Sequence, residues 1–130
     1  NIRIAKGLPD SRHKLIDEGK FTTTGILFNV NSADILPESN GVLKDIAEVL
    51  QKHPEIRVSI VGHTDSDGSD AANLELSRKR AAAVKQILST EFGIAASRMD
   101  TDGKGESVSI ADNKTKEGKA RNRRVEFIKQ

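Results

Sequence analysis

Apolar residues alternate along short runs of the chain and recur at helical spacing along longer ones, and these two periods divide it into elements. Ile56, Val58, Ile60 and Val61 make a nearly continuous apolar run between Pro54 and Gly62, the pattern of a buried strand. Ile26, Phe28 and Val30 alternate with Leu27 and Asn29, which predicts a first core strand. Between them, Val42, Leu43, Ile46, Ala47 and Leu50 follow helical spacing, with Pro37 and Ser39 at the start and Pro54 closing the segment. A longer helix is predicted over 70–92. At about 100° per residue, Leu74, Ala81, Val84, Leu88 and Phe92 fall in one inward arc. Glu75, Arg78, Lys79, Lys85, Gln86 and Ser89 fall opposite, toward solvent. Ser69 or Asp70 can cap this helix, and Gly93 stops it.

Met99 to Asp102 then reads as a short strand and Gly103-Lys104-Gly105 as a tight turn. Asn113 or Thr115 can cap a brief helix to about Arg121, and residues 123–128 make the last strand with Val125 and Phe127 inward. At the other end, residues 1–19 hold a possible short helix with Leu15 and Ile16 tucked in, and the Thr-rich 20–24 suits an edge strand. We read 1–24 as a linker and packing arm and 25–130 as the domain. Strand, helix, strand over 26–61 implies a parallel, right-handed crossover. The whole is an α/β (α+β) sandwich, a small mixed sheet with helices on one side.

The stretch between the second strand and the long helix carries the candidate chemistry. His63-Thr64-Asp65 sits past a strand's carboxyl end, where crevices form in α/β sheets. Arg80 falls at about 340° on the helix, between Leu76 and Val84 and beside Asn73 and Ser77, so its guanidinium points inward and needs an anionic partner. One reading is a structural ion pair with Asp65 or Asp70. The other is a binding site in which Asp65, Asn73, Ser77 and Arg80 converge on a zwitterion, Asp65 taking an ammonium and Arg80 a carboxylate in a bidentate fork.

At these residues the chain resembles the OmpA-like C-terminal domain family, which includes the periplasmic domain of outer membrane protein A, peptidoglycan-associated lipoproteins and the flagellar stator B protein. The likeness runs from about Gly25 to Ile128 through GHTDSDG, Asn73, Leu76-Ser77, Arg80-Ala81, GKGES and ADNKTKEGKARNRRVEF in order. It implies non-covalent binding of peptidoglycan through the diaminopimelate of its stem peptide. It also implies a periplasmic place at the outer membrane of a Gram-negative bacterium. Asp65 and Arg80 match the family's key pair, Asn31, Thr64, Asn73 and Leu76 match supporting positions, and Arg123 is a further match. Ala72 departs from the pattern, since many relatives carry an aromatic residue there.

Composition narrows the alternatives. The chain has 130 residues, no cysteine and a net charge of +2, which suits one domain without disulfide or thiolate chemistry. From Asn113 onward seven Lys or Arg face two Glu, a local net of +5. That basic face supports an alternative role as a protein-interaction module of an envelope complex. A nucleic-acid partner is disfavoured because, with no Trp or Tyr, there is little to stack bases on. No apolar run reaches transmembrane length, so any outer-membrane attachment is expected upstream of Asn1. A homodimer is left open by the sequence. Asp65-x-Asp67-Gly68-x-Asp70 lacks the EF-hand glycine and glutamate positions, and His63 has no second histidine at ligand spacing. We therefore expect no metal and no cofactor. Ser69 or Ser77 with His63 and Asp65 resembles no known nucleophile motif, so an enzyme is not expected.

Overall fold

The computed structural model describes residues 19–29, 32–65, 69–105, 107 and 113–130. The expected helix before Gly19, Val30, the candidate residue Asn31 and the acidic loop residues 66–68 lie outside these. The described chain forms β1 (Lys20–Thr23), α1 (Asn40–Lys52), β2 (Val58–His63), α2 (Asp70–Phe92), β3 (Met99–Gly105), α3 (Lys116–Asn122) and β4 (Val125–Lys129). The sheet order is β1-β4-β2-β3, with β4 antiparallel to β1 and β2, and β2 parallel to β3. It is a mixed α/β sandwich, as the alternation of elements predicts.

Local chemistry sets the element ends. Ser69 Oγ accepts from Ala72 N at 3.2 Å to cap α2, and Gly93 closes it in the left-handed region at φ 72°. Thr115 caps α3, its hydroxyl accepting from Gly118 N at 2.9 Å. Leu43, Ile46 and Leu50 of α1, Val58 and Ile60 of β2, Val84 and Leu88 of α2 and Phe127 of β4 form a core with no solvent exposure. α2 lies across β2 and β3, and α1 packs on α2.

Three expectations are corrected. Residues 26–29 are not a sheet strand. Ile26 is buried and Phe28 packs against the core, as their alternation demands, but the backbone folds back on itself through an isolated antiparallel bridge between Phe28 and Ile35. Leu36 N donates to Leu27 O at 2.8 Å, and Ser39 Oγ accepts from Leu27 N at 2.6 Å rather than capping α1. The parallel pair is instead β2 and β3, connected through α2, while Lys20–Thr23 takes the sheet edge. Second, Gly103-Lys104-Gly105 is not a turn. β3 runs through it, with Gly103 in register with Gly62 and Gly105 with His63. A Cβ at Gly62 or Gly103 would come under 3.0 Å from Ser77, so these glycines admit the helix backbone onto the sheet. Third, the buried arc of α2 runs through Asn73, Ser77, Ala81, Val84 and Leu88, with Leu74 only half-buried. Ser77 occupies the inward position because only a small side chain fits over the glycines, and its hydroxyl accepts from Gly105 N at 2.9 Å and donates to Leu74 O at 2.8 Å.

Candidate ligand-binding cleft

β2 delivers Thr64 and Asp65 to the start of α2, and the α3–β4 junction closes over the same end of the sheet. The cleft between them has a volume of about 580 Å³ and is lined by Thr64, Asp65, Asn73, Leu76, Arg80 and Arg123, together with Phe28, His63, Arg121 and Arg124. The sequence candidates within the described residues are thus brought to one place, except Ser77, which is buried against the glycines of β2 and β3 and does not line the cleft. Asn31 lies outside the described residues.

Thr64 is pinned by its backbone, its N–H donating to Gly105 O at 2.8 Å, and its hydroxyl donates to Asp65 O at 2.9 Å. Asn73 Nδ2 donates to the same carbonyl at 3.3 Å. These bonds hold the Asp65 backbone from two sides and fix where its carboxylate emerges. That carboxylate, its side chain only 8% exposed, pairs with Arg123 Nη1 through Oδ2. The Arg123 side chain is itself half-exposed, at 46%. Arg123 thus reaches the Asp65 carboxylate in the cleft, while Arg124, its neighbour, lines the same cleft from a buried position, 3% exposed.

Arg80 does not pair with Asp65. Its Nε donates to Ser32 O at 2.8 Å and its Nη2 to Asn29 O at 3.3 Å, and the guanidinium lies 4.8 Å from the centre of the Phe28 ring. The expected anionic partner is replaced by carbonyl dipoles and an aromatic face. Burial lowers its pKa, the Arg123 charge lowers it further, and the Asp65 charge opposes both. Carboxylate and guanidinium thus share a cleft and an electric field without neutralising each other.

Sequence reasoning missed the support beneath this site. His63 Nε2 lies 2.7 Å from Glu126 Oε1 on β4, with the histidine side chain 2% exposed, while Glu126 Oε2 lies 3.5 Å from Lys20 Nζ on β1. Burial pushes the His63 pKa down against the Glu126 hydrogen bond, and the Arg124 charge adds to the depression. Burial pushes Glu126 up, yet the hydrogen bond from His63 and the nearby cations hold its pKa below the usual carboxylate value. Alternation in β4 marks Glu126 as outward from the Val125–Phe127 face, but nothing in the pattern shows that its carboxylate reaches His63.

Comparison with known proteins places the chain. Residues 27–123 match the OmpA family. Outer membrane porin F of Pseudomonas aeruginosa is 40% identical over 101 residues, covering 78% of this chain and 29% of the porin. The peptidoglycan-binding protein ArfA of Mycobacterium bovis is 39% identical over 103 residues, covering 79% of this chain and 31% of ArfA. The chain spans less than a third of the length of either curated relative. The crystal structure of the peptidoglycan-associated lipoprotein from Burkholderia pseudomallei shares the fold, with a TM-score of 0.73 and 30% identity over 81% of this chain and 88% of that one. Sequence match and fold agree: the chain belongs to the OmpA family.

Proposed function

We propose that the cleft anchors this chain to the cell wall by holding peptidoglycan, and that the contact is made to the diaminopimelate of the stem peptide. The observation that carries the reading is the separation of Asp65 from Arg80: two opposite charges line one cleft, and Arg80 directs its hydrogen bonds elsewhere. A zwitterionic end group fits that arrangement. Its ammonium joins Arg123 on the Asp65 carboxylate, and its carboxylate meets the Arg80 guanidinium as a charge-assisted pair. Asn73, Thr64 and Asn31 orient the group, and Leu76 packs on its methylenes. The names of ArfA and of the peptidoglycan-associated lipoprotein support peptidoglycan as the polymer. The outer-membrane relatives support an envelope location, which we place in the periplasm.

The role is binding without catalysis: the reading assigns the cleft no nucleophile and no activated water. Lysine-type stems lack the second carboxylate and forgo its charge-assisted hydrogen bond to Arg80, a loss of about 1.5–3 kcal/mol. Co-sedimentation with purified sacculi of the diaminopimelate type tests the reading. The wild-type chain is expected in the pellet, with Asp65→Ala and Arg80→Ala remaining in solution. Variants that pellet as fully as wild type would place the wall contact elsewhere, with the basic C-terminal face as the next candidate.

A further inference from the structure

The cleft carries more positive charge than one zwitterionic end group uses. Among the described residues, Arg80, Arg121, Arg123 and Arg124 line it against a single lining carboxylate, Asp65. Arg123 is engaged by Asp65. Arg124 is buried, donates to Asn122 O at 3.3 Å and lies in the field of Glu126. Arg80 faces the first carboxylate in the pose above. That leaves Arg121, which sits in the last turn of α3 on the cleft rim, exposed, its guanidinium without a hydrogen bond or ion pair among the described residues. The volume of about 580 Å³ is also that of a site for a ligand of several groups.

Resting on the peptidoglycan reading, we infer that Arg121 is a specificity residue: it takes a second carboxylate, on the residue of the stem peptide next to diaminopimelate. In a stem joined through a glutamyl side chain, the α-carboxylate of that glutamate is left either free or converted to a carboxamide. Arg121 favours the free acid. The contact is at the rim, so its effect is that of an exposed charge pair and is screened by salt.

The test is titration of the full chain, wild type and Arg121→Gln, with two soluble diaminopimelate stem peptides that differ only in carboxylate or carboxamide at the glutamyl position. The wild type is expected to bind the carboxamide about threefold more weakly at low salt. Arg121→Gln is expected to bind both peptides alike. A peptide amidated at the diaminopimelate carboxylate serves as a separate arm, weakened equally in both chains because it addresses Arg80. The inference is overturned if the wild type does not distinguish the first two peptides, or if Arg121→Gln distinguishes them as well as wild type. A wild-type chain that binds none of the peptides overturns the functional reading along with it.

Discussion

Arg80 keeps a charge at a half-buried position because backbone carbonyls and the Phe28 ring solvate it in place of a carboxylate. Its inward direction was legible from helical arithmetic. Its partners were not, since they lie 48 and 51 positions away on a loop with no sequence signal for the contact. His63 shows the same limit and yields a pH prediction. Its folded pKa is below the ordinary histidine value of 6.5, so below that pH the unfolded chain binds a proton that the folded chain resists. Stability is therefore present above pH 6.5 and is lost as pH falls from 6.5 toward the depressed folded value. Glu126, also depressed, adds a second loss below about 4.5. The groups facing His63 are Glu126, Arg124 and Lys104, so protonation gains one carboxylate contact and meets two cations. Urea denaturation of wild type and His63→Gln at pH 7.5 and 5.5 should show wild type losing more stability on acidification. Parallel losses would mean that His63 does not titrate across this range.

At the scale of elements, the close seat of α2 on β2 and β3 is what frames the cleft. Gly103 and Gly62 stand where any Cβ would come under 3.0 Å from Ser77. Gly103→Ala should destabilise by about 1–3 kcal/mol, the usual cost of overpacking. Gly41→Ala, on the exposed face of α1 with no atom within 4 Å of the added Cβ, should be neutral or stabilise by up to about 1 kcal/mol. Equal effects in denaturation would remove the packing argument. The helices, the caps of α2 and α3, and β2 and β4 were readable because each is specified by its own residues. The glycines of β3 were read as a turn because their constraint comes from another element. Residues 26–30 were read as a sheet strand because alternation reports which side chains are buried. It does not report whether the backbone pairs with a sheet or, as here, with residues 34–36.

At the scale of the molecule, the topology brings together side chains from the end of β2, the first turns of α2 and the α3–β4 junction. The Asp65–Arg123 pair alone spans 58 positions. Helical arithmetic and charge placed Asp65, Asn73 and Arg80 at one site, and all three line the cleft; the family likeness added Asn31, Thr64, Leu76 and Arg123. The sharing of Asp65 with Arg123 and the surplus of guanidinium groups emerged only from the fold. In the proposed role, opposite charges held apart in one cleft recognise a zwitterion. The most direct test is isothermal titration of the folded domain with a soluble stem peptide containing meso-diaminopimelate, beside its lysine counterpart. The account predicts saturable binding that is weaker for the lysine peptide by about 1.5–3 kcal/mol, with the difference abolished in Arg80→Ala. Equal affinity for the two peptides, or a difference that survives in Arg80→Ala, would contradict it.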